Sequence, residues 1–269
     1  MIKHDFYDRF RYILSDPFNI KIKRHDHAGK IIDNYLIMYN GLKIVPGSYC
    51  GSFSDILILN QGVHEPQEEY VFCDVIKKIT KNNPIMIELG SYWAFYSMSF
   101  LQENPQGQVF LIEEDERYLD IGKKHFQINS MNGTFIHGKI SRDDIKLDSF
   151  VEEYNIPKIN ILHSDIQGFE IQMLEGAKNV FSKHLIDYVF ISTHHQNIHL
   201  HCLKFLINNK YTIIGSADVD NETFCHDGII IACSKNIDYP KIDLGNRSQS
   251  SLFDEKELDR KLEKLYELL

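Results

Sequence analysis

Short apolar runs rich in β-branched residues recur along the middle of the chain, separated by longer stretches with helical spacing. The runs are Ile85–Glu88, Gln108–Glu113, Thr134–His137, Ile159–His163, Tyr188–Ser192, Tyr211–Gly215 and Gly228–Cys233. Between the second and third, Tyr118, Ile121, His125 and Ile128 recur at three- and four-residue intervals, the stripe of an amphipathic helix. Such alternation predicts right-handed crossovers and a parallel sheet covered on both faces. The last two runs break the pattern. Ser216–Asp227 between them is polar and has no clear helical stripe, so it reads as a hairpin, with the seventh strand antiparallel to the sixth.

The flanks read differently, and three regions follow: 1–65, 66–236 and 237–269. In the first, Tyr35–Val45 predicts a hairpin around Asn40-Gly41, a good type I′ pair. Pro66 opens a helix over Pro66–Thr80, with Tyr70, Val71, Val75 and Ile79 on its apolar face. Residues 1–65 form an N-terminal extension, either a cap over the sheet's carboxyl end or a packing element without substrate contact. After a polar stretch at Asn246–Ser251, the tail predicts a charged helix with Leu258, Leu262, Leu265 and Leu269 on one face. That stripe packs on its own domain or on a second subunit, which makes a homodimer one of two expectations.

Composition narrows the class. Hydrophobic residues make up 43% and charged residues 25%, an ordinary globular balance. With 29 basic and 38 acidic residues the net charge is −9, which repels phosphate backbones, so no nucleic-acid partner is expected. The five cysteines, Cys50, Cys73, Cys202, Cys225 and Cys233, are odd in number and show no CxxC spacing. A disulfide framework or zinc knuckle is not expected, and a reducing, cytoplasmic compartment fits. The first residues, MIKHDFYDRF, have no apolar signal region, and no run of about 18 apolar residues exists to span a membrane.

Four strand ends carry candidate chemistry. The first run leads into Glu88-Leu-Gly90-Ser91-Tyr92-Trp-Ala94, where a glycine lets the backbone close on a ligand and helix-start amides can bind a carboxylate. It lacks G-x-G-x-x-G, which disfavours NAD or FAD. The second run ends in Glu113, about 20 residues on, where a carboxylate can accept both hydrogen bonds of a ribose diol; Glu114 is the fallback. The fourth ends at His163, with Asp165 just beyond and Gly168 and Glu170 opening the next helix; taken alone, helix capping is the better reading of Asp165 and Glu170. The fifth ends in the pair His194-His195.

Together these signals resemble the FkbM family of methyltransferases. The family's D-x-G-A-N-x-G-x-x-S stands here as Glu88-Leu-Gly90-Ser-Tyr-Trp-Ala94-Phe-Tyr-Ser97, and Val109-Phe-Leu-Ile-Glu113 matches its second motif. Its L-D-S…I-D-x-x-K-x-D-x-E-G-F-E-x-x-x-L-x-G-A stands as Leu147-Asp148-Ser149, then Ile159-Asn160, His163, Asp165, Gln167-Gly168-Phe169-Glu170 and Leu174-Glu-Gly176-Ala177. The resemblance covers about residues 41–234, and Gly62-Val-His-Glu65-Pro66 upstream is also similar. It implies a Rossmann-like class I methyltransferase fold, whose seven-stranded, mostly parallel sheet ends in a hairpin. It also implies S-adenosylmethionine as cofactor, held by Glu88, Gly90, Ser91, Tyr92, Glu113, Glu114 and Asp165. The implied reaction is O-methylation of a hydroxyl on a sugar, glycan or natural product. In-line displacement on a sulfonium carbon needs an aligned acceptor and a base, and His163, Asp165, His194 and His195 are its candidates. A divalent ion at Asp165 and a nearby histidine or carboxylate is an alternative way to lower the hydroxyl pKa; spacing assigns no metal ligand. Four departures stand out. Ala94 replaces a glycine, so its methyl is expected to crowd the methionine end of the cofactor. Asn160, His163 and Gln167 replace aspartate, lysine and glutamate in or near the expected acceptor region. A catalytically inactive relative that keeps the fold, or a nucleotide-sugar oxidoreductase, is the competing expectation.

Overall fold

The computed structural model describes residues 2–49 and 51–268; Met1, Cys50 and Leu269 lie outside the described residues. The chain divides into two compact units, one of residues 1–72, 221–226 and 245–269, the other of 73–220 and 227–244. Residues 221–226, within the connection between the last two strands of the large sheet, belong to the first unit.

The first unit opens with α1 (Ile2–Ser15) and a small antiparallel sheet of β1 (Ile31–Ile32), β2 (Tyr35–Ile37) and β3 (Lys43–Ile44). The hairpin predicted over Tyr35–Val45 is present, with Leu36 opposite Ile44. Its turn is not type I′, because of Asn40-Gly41 only Gly41 has a positive φ, at 87°. The two-residue turn with both φ positive is Asp33-Asn34, at 51° and 67°, between β1 and β2. After α2 (Asp55–Leu59), α3 (Pro66–Lys78) starts in this unit, where Glu69 Oε1 accepts the amides of His64 (2.7 Å) and Glu65 (2.8 Å) and so caps it. Gly62 is required here: a Cβ would lie 2.3 Å from the Tyr39 amide nitrogen.

The second unit holds β4 (Ile85–Leu89), α4 (Phe95–Glu103), β5 (Gln108–Glu113), α5 (Glu116–Ile128), β6 (Thr134–His137), α6 (Leu147–Glu153) and β7 (Ile159–Ser164). There follow α7 (Glu170–Glu175), α8 (Lys178–Ser182), β8 (Ile186–Thr193), α9 (Gln196–Asn208), β9 (Thr212–Ala217) and β10 (Gly228–Cys233). The strands form one seven-stranded sheet in the order β6-β5-β4-β7-β8-β10-β9. All neighbours are parallel except β10, which inserts between β8 and β9 antiparallel to both. This is the Rossmann-like fold of class I methyltransferases, with its reversed last strand. Its core joins Ile87, Leu89, Leu162, Val189, Ile191 and Ile230 of the strands to Met173, Phe181 and Leu206 of the helices, and β7 and β10 are buried throughout. Doubly covered strands read as near-continuous apolar runs, as β10 does, whereas β7 also buries Asn160, His163 and Ser164. The closing helix, α10 (Glu255–Leu268), belongs to the first unit, where Leu258, Leu262 and Leu265 are buried. Arg11 of α1 ties it down by pairing with Glu255 at 2.7 Å and donating to the Phe253 carbonyl at 3.1 Å.

Candidate active site

Parallel pairing sets the carboxyl ends of β5, β4, β7 and β8 side by side, which gathers Glu113, Gly90, Asp165 and His194 on one edge of the sheet. Because β10 runs the other way, its first residue, Gly228, lies opposite Thr193, and Asp227 reaches the same edge.

The loop after β4 carries three left-handed residues, Gly90 (φ 71°), Tyr92 (42°) and Ala94 (65°). The amides of Gly90 and Ser91 both donate to the Ile112 carbonyl, at 2.9 and 3.0 Å, and Tyr92 N–H donates to Glu113 Oε2 at 2.9 Å. These three amides hold the loop to β5, so a ligand carboxylate would need other donors. A Cβ on Gly90 would sit 1.8 Å from the Asp165 carbonyl oxygen, which makes close approach of two backbones the reason for this glycine. Glu88 is buried and accepts Ser97 N–H at 3.1 Å, pinning the first turn of α4. The Ala94 methyl does not follow expectation: it is fully buried and lies 3.2 Å from where a Cβ on Gly122 of α5 would be. The missing side chain at 122 leaves room for the extra one at 94.

Glu113 fits a cofactor ribose. Its carboxylate takes amides from Tyr92 (2.9 Å) and Asp115 (2.9 Å), yet burial still raises its pKa above the ordinary value. Two further hydroxyl donors from a diol would complete its hydrogen bonding and favour the ionised form. Among the described residues, nothing hydrogen-bonds the buried Ser91 Oγ, another polar group at this edge. Glu114 turns elsewhere, pairing with Lys139 at 2.9 Å, while that ammonium sits 3.9 Å from the Phe169 ring centroid.

The second cluster centres on His194. Its Nδ1 hydrogen-bonds Glu170 Oε1 at 2.7 Å, and its Nε2 lies 3.2 Å from Asp165 Oδ1 and 3.4 Å from Asp227 Oδ1. Burial opposes charge on this ring, but the three carboxylates outweigh it and raise the pKa to about 10. Three carboxylates around the ring favour its charged form, which works against the expected role of His194 as base. Gln167 Nε2 also donates to Asp165 Oδ1, at 3.0 Å. Both neighbours use Oδ1, which leaves Oδ2 of a one-third exposed side chain to an acceptor.

The structure does not bring the other two histidines into this cluster. His163 is buried within β7, its ring 4.1 Å from that of Tyr96 on α4. His195 is exposed at the N-cap of α9 and makes no capping bond with its side chain. Asn160 is not near the acceptor region: at the opposite end of β7, it accepts Ile85 N–H (2.9 Å) and donates to Asp187 Oδ2 (2.8 Å). An aspartate there would face Asp187, so the neutral amide suits the place. Sequence reasoning passed over Asp227, which stands alone in a polar connection, and His199, a neutral buried ring linking Thr193 Oγ1 (2.8 Å) to Ser216 Oγ (2.9 Å). It also passed over His125, whose Nδ1 donates to the Trp93 carbonyl at 3.0 Å and whose pKa burial lowers to about 4. Among the described residues, no group of three or more His, Cys, Asp or Glu side chains is arranged to hold a metal ion.

Comparison with known proteins bears on the family. No curated protein matches the sequence significantly. Among solved structures, TrmK of M. capricolum, in complex with S-adenosyl-homocysteine, is 16% identical with a TM-score of 0.43, over 60% of this chain and 67% of that one. A precorrin-6y C5,15-methyltransferase from Geobacter metallireducens GS-15 is 13% identical with a TM-score of 0.47, over 64% and 90%. Likenesses this weak carry no argument about activity. The family comparison does: residues 61–213, more than half of the chain, match the methyltransferase FkbM domain. With the topology and the Gly90–Glu113 edge already described, the chain belongs to the FkbM methyltransferases and is an S-adenosylmethionine-dependent enzyme.

Proposed function

We propose that the enzyme methylates a hydroxyl on an uncharged acceptor such as a sugar, glycan or natural product, with Asp165 as the base. The observation that carries this reading is the bonding of Asp165: its Oδ1 faces Gln167 and His194, and Oδ2 remains for the acceptor. The cofactor supplies an electrophilic methyl group. Glu113 binds the ribose, and the Gly90–Ala94 loop, fixed to β5, positions it. With the cofactor bound, its methyl would pass from sulfur to the acceptor oxygen, leaving S-adenosylhomocysteine, while Asp165 would accept the hydroxyl proton and a charged His194 would keep that carboxylate oriented. Glu113, Asp165, Glu170 and Asp227 make this edge acidic, which works against phosphate-bearing acceptors, including nucleic acid.

The test is transfer from S-adenosylmethionine labelled with ¹³C on its methyl group to a panel of saccharides, hydroxylated metabolites, amines and RNA. Label appearing at the methyl shift of an O–CH₃ group supports the reading. Label found only on nitrogen or on RNA overturns it, and S-adenosylhomocysteine binding without any turnover points to an inactive relative.

A further inference from the structure

We propose that Asp227, carried by the β9–β10 connection, is a positioning residue that acts through the His194 imidazolium to hold Asp165 in place for methyl transfer. This rests on the assignment of Asp165 as the base.

The geometry begins at β10. Gly228, next to Asp227, has no room for a side chain: a Cβ would lie 2.8 Å from Thr193 Oγ1 and 3.0 Å from His199 Nδ1. The start of β10 is thus seated against the end of β8, and the buried Thr193–His199–Ser216 chain of hydrogen bonds ties β8 to β9 as well. Asp227 leaves this fixed platform with its Oδ1 3.4 Å from His194 Nε2, on the nitrogen that also lies 3.2 Å from Asp165 Oδ1. Neither carboxylate meets hydrogen-bond geometry with that nitrogen, so a charged ring between them holds both by ion pairing alone. The other nitrogen is committed to Glu170 Oε1, which also receives the Gly168 amide at 3.1 Å and cannot swing away.

The groups facing His194 come from three places: Asp165 from the β7–α7 loop, Glu170 from α7 and Asp227 from the end of the β9–β10 connection. The Cys202 thiol of α9, pushed up to about 12 by burial and by Glu170, stays neutral beside them. The ring's own pKa, raised to about 10, gives the sign of the pH effect. The ring keeps its charge until the pH nears that value, and the clamp is lost as pH rises through it. Turnover controlled by the clamp falls on the alkaline side, whereas a histidine base would make it fall on the acid side.

Asp227→Asn keeps the shape and removes one charge. Turnover should fall about tenfold with the acceptor KM and S-adenosylhomocysteine affinity within about twofold, since misplacement of a reacting group costs rate rather than binding. The alkaline limb should move down by about one pH unit. Asp227→Glu should recover part of the rate. Unchanged turnover and an unmoved alkaline limb would overturn the proposal, as would loss of cofactor binding in parallel with rate. An independent reading needs no variant: ¹⁵N spectra of the wild-type protein should show both His194 nitrogens protonated from pH 6 to 9, and a single neutral tautomer at pH 7 would overturn the clamp. If wild-type enzyme turns over no hydroxyl acceptor, the assigned reaction fails, while the nitrogen spectra still decide the state of His194.

Discussion

Gly90 and Glu113 do different work on the same loop, and substitutions separate them. Any side chain at 90 meets the Asp165 carbonyl in a backbone with φ 71°. Gly90→Ala should therefore cost at least about 3 kcal/mol, from overpacking added to left-handed strain, and calorimetric melting should show it before any binding assay does. A Gly90→Ala protein with an unchanged melting temperature would show that the two backbones are not packed this closely. Glu113→Ala removes only a carboxylate, and S-adenosylhomocysteine affinity should drop by roughly 10- to 150-fold, the value of hydrogen bonds to a charged group. Unchanged affinity by titration calorimetry would take the ribose away from Glu113. At this scale the motif residues were legible from strand ends, but their bonds were not. A glycine after a strand reads alike whether it makes room for a ligand or for another backbone, and only the position of Asp165 decides between them.

The helices matter through what they brace. His125 projects from α5 to the Trp93 carbonyl in the loop before α4, and its ring edge meets Trp93. Burial keeps it neutral down to about pH 4, whereas in the unfolded chain it takes up a proton below about 6.5. Nothing is lost above 6.5; between there and about 4 the fold should lose up to about 3 kcal/mol. His125→Gln, a neutral donor of similar reach, should flatten that acid loss in urea melts run from pH 7.5 to 4.5, and an equally steep loss would assign it elsewhere. The leucine stripe of α10 packs within its own chain at Leu258, Leu262 and Leu265. Removing residues 252–269 should lower the melting temperature of the first unit, and an unaltered melt would show that the stripe contributes nothing. Periodicity revealed both helices because each has one apolar face. It misplaced the type I′ turn, because Asn-Gly scores highest while Asp33-Asn34, also tolerant of positive φ, is the pair between adjoining strands.

Across the whole molecule, the order of runs foretold the sheet, including its reversed last strand, because crossover helices and a stripe-free hairpin leave different marks. The chemistry was only half legible. Asp165 and His194 stand at strand ends and were visible. Asp227 was not, since its place depends on an antiparallel strand inserted between two others and not on any local pattern. Nor does sequence convey that three carboxylates from separate elements surround one ring and favour its charged form. The most direct measurement is turnover of Asp165→Asn beside its S-adenosylhomocysteine affinity. Turnover lower by about 10²–10⁴, with affinity within a few-fold of wild type, is the predicted result; full turnover, or a loss that follows cofactor affinity, would contradict it.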